Sequence, residues 1–217
     1  MLLWNGYYYC CCHNCKTTHS YPGIISSLSK HLNTSMTTAT VWWNGPSVQR
    51  FYHIRPQPME IGCNFILDHR PVHHVCAYDQ PTINSIGADT LPGVQYWTRR
   101  AYAAGAWQTF KSDISHKQFK NITGYCSGTM AMVLALQLGA TAITLLGCDW
   151  TITNNSVYDE RYTWRAFSPT KHNKEKFKLF AMLSELVPVT VVHDTPREIL
   201  GEHVIWKSSK DYLGEHE

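Results

Sequence analysis

The sequence predicts an α/β fold, a Rossmann-like three-layer sandwich on a mostly parallel sheet. Three observations predict it. Short runs rich in β-branched and aromatic residues recur along the chain, bounded by Gly, Pro, Asn or Asp. Helix-length segments stand between them. The runs are almost continuously apolar, as strands covered on both faces are. The composition agrees: 217 residues, 44% hydrophobic and 16% charged, exclude an intrinsically disordered chain. No heptad, collagen period or solenoid repeat is present.

The expected strands, in order, cover 40–43, 60–63, 74–78, 95–97, 107–110, 142–146 and 189–193. The clearest helix covers 129–138 and stops at Gly139, as a C-terminal glycine stop should. A second helix is expected over 173–186, with Phe177, Phe180, Ala181 and Ser184 on one face. The longest apolar stretch, 130–147, is interrupted by Gln137, Gly139, Thr141 and Thr144. It reads as a helix, a stop and a buried strand rather than a membrane span.

Residues 1–35 differ in composition, being rich in Tyr, Cys, Ser, Thr and His without periodicity. They are expected to be an upstream extension, not native or disordered, with 36–217 forming a single nucleotide-binding domain from Met36. Cys12 and Cys15 have CxxC spacing with His13 and His19 nearby, but one clean pair falls short of the two pairs usual at a structural zinc. This head holds Lys16 and Lys30 and no acid, which leaves only +1 of the net +3 for the rest. A near-neutral body argues against a nucleic-acid partner. Cys63, Cys76, Cys126 and Cys148 lie among apolar residues and read as core thiols. With no charged n-region and apolar stretch at the start, the expected location is cytoplasmic.

Sheets of this kind bind ligands at the carboxyl ends of their strands. After the first strand stands Asn44-Gly45-Pro46-Ser47: glycine for close approach, proline for a first helical turn, and amides open to a phosphate or to an ordinary junction. After the second stands Asn64, either a reader of base or ribose or a turn residue. After the third stands Asp79, a helix cap or a ligand for a hydroxyl. Ser127-Gly128 opens the clearest helix, as a cap or a phosphate contact. Asp149 follows the 142–146 strand. Between Thr151 and Thr170 lies a polar, aromatic stretch suited to a lid, and His172 stands at the mouth of the next helix as a candidate general base or a solvent-exposed histidine. His73-His74 reads as structural, since adjacent strand residues face opposite sides. GxSxG, GxGxxG and P-loop motifs are absent.

Asn44-Gly45-Pro46-Ser47-Val48, then Cys63-Asn64-Phe65, then Ser127-Gly128 running through Gly139 to Gly147-Cys148-Asp149 occur in this order. The set resembles the bacterial sialyltransferases of the Campylobacter lipooligosaccharide type. It is also similar to the archaeal 6-hydroxymethylpterin diphosphokinases and motility-associated glycosyltransferases, a pattern that uncharacterised phage proteins share. The resemblance spans roughly residues 39–193. It implies a nucleotide at the carboxyl edge, CMP in the sialyltransferases, and transfer without a metal. It further implies Asn44 and Gly45 near the phosphate, Asn64 on the nucleotide, Ser127 and Gly128 lining the phosphate or ribose pocket and Asp149 its far side. Tyr158 and Tyr162 would hold the phosphate, and His172 would be the base.

The expected function is therefore a metal-independent glycosyltransferase, taking a nucleotide-sugar donor and a hydroxyl acceptor and needing no cofactor. Two alternatives stand beside it. One is a diphosphokinase-like transfer from ATP, with Mg²⁺ on Asp79 and Asp149. The other is a non-catalytic nucleotide-binding or structural protein of the same fold.

Overall fold

The computed structural model describes residues 2–4, 7–9, 37–87, 90–99, 105–109, 126–149, 169–195 and 203–216, with the backbone alone for 2–4, 7–9 and 169–177. The chain divides into two units, Met1–Ser35 and Met36–Glu217. In the first, β1 (Leu2–Trp4) and β2 (Tyr7–Tyr9) pair antiparallel.

The second unit holds an eight-stranded sheet: β3 (Thr38–Trp42), β4 (Met59–Cys63), β5 (His74–Cys76), β6 (Gln95–Thr98), β7 (Trp107–Thr109), β8 (Ala142–Leu146), β9 (Val189–Val192) and β10 (Val204–Lys207). Their order is β10-β9-β8-β3-β4-β5-β6-β7, and every pairing is parallel. The helices are α1 (Gln80–Ile86), α2 (Ser127–Gln137), α3 (Pro169–Leu186) and α4 (Ser209–His216), with 3-10 turns at Pro46–Phe51 and Ile66–Asp68. This is the expected three-layer α/β class.

Alternation along the strands sorts the core into two faces. Ala39, Val41, Ile61, Cys63, Ile143, Leu145 and Val191 pack with α2 and with Leu179, Phe180 and Leu183 of α3. Trp42, Val75, Leu146 and Val192 pack on the other face with Val48, Phe51, Ile83 and Tyr212. Residues 127–135 of α2 are all buried, which a helix apolar on every side requires. Its chain turns out at Gly139, whose φ of +90° suits glycine. The long apolar run is thus a helix, a stop and a strand, and no described helix is long and apolar enough to cross a membrane.

Two points of the second expected helix need correction. The helix expected over 173–186 begins at Pro169, because proline lacks only an amide that the first turn leaves unbonded anyway. Its buried face is set by Leu179, Phe180, Leu183 and Ser184, with Ala181 only half-buried. The segment from Trp206 onward completes β10 and forms α4, and Tyr212 of α4 is buried against Phe51 at 5.8 Å between ring centroids.

A buried ion pair also escaped the sequence reading. Glu60 on β4 and Arg70 are 2% and 4% exposed. Arg70 Nε donates to Glu60 Oε2 at 3.0 Å and Nη2 to Oε1 at 2.6 Å. The remaining guanidinium donors reach the carbonyls of Tyr52, Ile54 and Arg55 at 2.9, 2.9 and 3.2 Å. The guanidinium also lies 4.3 Å over the Trp42 ring. All the desolvated charge is compensated, and the 52–55 loop is fastened by it.

Candidate functional site

The sheet runs outward in opposite directions from the β3–β8 pair, so the crevice at their carboxyl ends is the topological switch point. The backbone closes this crevice tightly. Trp43 N–H donates to Leu146 O at 2.8 Å, and Gly45 N–H to Gly147 O at 2.9 Å. Gly45 has an ordinary φ of −68°, so glycine is needed for space and not for conformation. A Cβ there would lie 2.4 Å from Gly147 O and 2.5 Å from Asp149 Cβ. Pro46 opens the 3-10 turn, as its fixed φ suits.

The donors expected to meet a phosphate already hold a carboxylate. Ser47 N–H donates to Asp149 Oδ2 at 2.6 Å, and Ser47 Oγ–H donates to Asp149 Oδ1. Val48 N–H turns back to Gly45 O at 3.0 Å. Asp149 is 5% exposed. His193, directly after β9, brings Nε2 to 3.6 Å from Asp149 Oδ1, while its Nδ1 lies 3.0 Å from the Thr195 amide and 3.2 Å from the Thr195 carbonyl. On the other side of the turn, the Asn44 carbonyl Oδ1 is buried with no hydrogen-bond partner among the described residues.

Asn64 follows β4 with φ of +54°, the left-handed region that asparagine tolerates better than most residues. Its N–H donates to Cys76 O at 2.9 Å, and its Oδ1 accepts the Ser127 hydroxyl at 2.7 Å. Ser127 Oγ in turn accepts Tyr78 N–H at 3.1 Å. Ser127 is therefore not the helix cap: Cys126 is, and its N–H donates to Thr129 Oγ1 at 2.9 Å. The serine is one residue inside the helix, where its hydroxyl joins α2 to the β4 and β5 ends. Gly128 lets the helix approach Trp43, because a Cβ would lie 2.3 Å from the indole. Asp79 occupies the N-cap of α1 with extended backbone, but it is exposed and makes no side-chain capping bond. Arg99, one residue past β6, lies with its guanidinium carbon 4.7 Å over the Tyr78 ring.

The carboxyl edge of the sheet thus brings together Asn44, Gly45, Pro46, Ser47, Asn64, Ser127, Gly128 and Asp149. Tyr158 and Tyr162 lie outside the described residues, as do the Cys12 and Cys15 spacing and most of the expected lid. His172 lies in the first turn of α3, and its side chain is outside the description too. His193 and Arg99 were missed, although both directly follow strands and the strand-end rule applied to them as well. Among the described residues no three His, Cys, Asp or Glu side chains gather as a metal site. Cys63 and Cys76 face each other in register, and burial pushes both thiols well above the usual range, so they are core thiols. Cys126 is only half-buried. His74 accepts the Trp97 indole N–H at 3.3 Å, and burial, then His73, lowers its pKa.

No family model matches this sequence, and no curated protein sequence does. Among solved structures, the sialyltransferase CST-II in complex with a trisaccharide acceptor and CMP is similar with a TM-score of 0.45 and 11% identity, over 71% of this chain and 80% of that one. The sialyltransferase CstII from Campylobacter jejuni in complex with CMP-3FNeuAc is similar with a TM-score of 0.37 and 13% identity, over 72% and 80%. Both are likenesses of chain path at low identity.

Proposed function

We propose that the carboxyl edge of the sheet binds a nucleotide-sugar donor, CMP-linked by the sequence resemblance, and that the chain transfers the sugar to a hydroxyl acceptor without a metal. The observation that carries this reading is the Asn44 carbonyl, buried beside the switch point and without a partner among the described residues. An orphaned buried acceptor costs about 1–3 kcal/mol, and a ligand hydroxyl or amine would remove that cost. Asn64, Ser127 and Gly128 stand on the neighbouring strand and helix ends, where the resemblance puts nucleotide contacts. His172 is the proposed base, taking the proton from the acceptor hydroxyl as its oxygen attacks the sugar and the nucleotide leaves.

A thermal-shift panel of CMP, CDP, UDP, GDP, ADP and ATP, with and without Mg²⁺, tests the binding. A ligand at about 100 times its Kd stabilises by about 2.7 kcal/mol. The expected result is a shift with CMP or CDP that does not depend on Mg²⁺. A response to ATP alone that needs Mg²⁺, or none to any nucleotide, would overturn the reading. His172→Gln is expected to abolish transfer and leave the nucleotide shift intact.

A further inference from the structure

We infer that the acceptor is a saccharide and that it binds in a groove beside the donor site, between the 3-10 turn after β3 and helix α4. This rests on the nucleotide-sugar reading above. The groove has a volume of about 690 Å³, within the range of small-molecule sites, and is lined by Arg50, Asp194, Ser209, Lys210, Leu213 and Gly214.

Its place follows from the topology. Arg50 belongs to the turn that carries Ser47, after β3. Asp194 is the second residue after β9, and Ser209 the second after β10. The groove therefore lies along the carboxyl edge of the sheet, where such sheets hold ligands. Ser47 and His193 both meet Asp149, and Arg50 and Asp194 continue those same two segments into the groove. The 3-10 turn and the chain leaving β9 thus serve both places, so a molecule in the groove stands next to the donor.

The chemistry names the class of molecule. Asp194 accepts from Arg50 Nη1 and from the Ser209 amide, the latter at 2.9 Å. This sets an exposed carboxylate and an exposed guanidinium side by side. A carboxylate has about four acceptor sites and a guanidinium five donors, so the pair keeps acceptors and donors for a ligand. Adjacent hydroxyls of a sugar ring each donate and accept, and they match such a pair. Exposed Lys210 adds a donor, and half-buried Leu213 offers an apolar surface to the C–H face of a ring. A lone anion would leave Asp194 and Leu213 unused. Gly214 leaves room, since a Cβ there would meet nothing within 4 Å.

That room also supplies the test, because a large side chain at 214 fills the groove without a clash at its base. Saturation-transfer NMR would follow the methyl glycosides of glucose, galactose, mannose and N-acetylglucosamine, with CMP present, on wild type, Gly214→Trp, Gly214→Ala and Asp194→Asn. The expected result is that wild type binds at least one glycoside. Gly214→Trp abolishes that binding, and Gly214→Ala keeps it. Asp194→Asn weakens it about 10- to 100-fold, the range for a hydrogen bond to a charged group. CMP affinity, read by calorimetry, is unchanged in all three variants. If Gly214→Trp does not fold, Asp194→Asn is read in its place. No glycoside bound by wild type, or binding unchanged in Gly214→Trp or Asp194→Asn, would overturn the inference and, where CMP binds, leave the nucleotide reading standing. Glycoside binding by a protein that does not bind CMP would overturn the nucleotide reading and the acceptor role with it.

Discussion

Two buried carboxylates sit in the central strands or at their ends, and they are treated differently. Glu60 meets Arg70 through two hydrogen bonds and also accepts the Gln57 amide at 2.7 Å, while the guanidinium is further satisfied by three carbonyls. Among the described residues, no guanidinium meets Asp149. Among the described residues it is held by Ser47, with a histidine at 3.6 Å and an asparagine carbonyl without a partner on the same turn. The first cluster is complete without a ligand and belongs to the fold. The second leaves the Asn44 carbonyl open among the described residues, and we propose that it belongs to the site.

The largest expected effect breaks the first cluster. Arg70→Met leaves Glu60 buried without its counter-charge and should cost about 3–5 kcal/mol in urea unfolding. A cost below about 1 kcal/mol would show that the pair is not what holds the 52–55 loop, and would remove the contrast.

Next in size is an alkaline effect beside that cluster. Burial raises the Tyr212 phenol from 10.0 to about 12, opposed by its hydrogen bond to Thr40 and helped by Glu60. The folded protein then holds this proton more tightly than the unfolded chain does. The contribution is complete below pH 10 and is lost as pH rises through about 12. About 2 kcal/mol should disappear across that window in wild type. Tyr212→Phe should lack this loss, and equal slopes in the two proteins would refute the assignment.

The smallest effect sharpens the second cluster. Asp149→Asn keeps one acceptor for Ser47 and strands no buried cation, so the expected cost is only about 1 kcal/mol by chemical denaturation. A cost matching that of Arg70→Met would make Asp149 a structural residue like Glu60.

Much of the fold was legible because its signals are local. The 142–146 strand is an uninterrupted apolar run, and the 127–137 helix ends at a glycine that does turn the chain. The edge strand β10 was missed although Val204-Ile205-Trp206 is a run of strand-forming residues; as an edge strand it leaves Val204, Trp206 and Lys207 only half-buried and Ile205 exposed. A readable signal for α4 was present: Ser208 and Asp211 have the spacing of a capping pair, and Asp211 N–H does donate to Ser208 Oγ at 3.1 Å. In the site, the polar strand-end residues were legible as candidates because the sheet type says where ligands go. Their partners were not. Ser47 and Asp149 are 102 positions apart, and nothing local to Asn44-Gly45-Pro46-Ser47 says that a carboxylate will fill its turn.

That separation has a kinetic consequence. β3 and β8 are adjacent in the centre of the sheet, yet β8 pairs Ala142 with Thr38 and Leu146 with Trp42 across about a hundred residues of chain. Parallel pairing over such a distance must close a long loop before its contacts are made, which slows folding. Until β8 arrives, one side of β3 exposes an unpaired apolar edge, the kind of intermediate that associates with copies of itself. Slow synthesis at low temperature should therefore raise the yield of soluble protein more than any change at its surface.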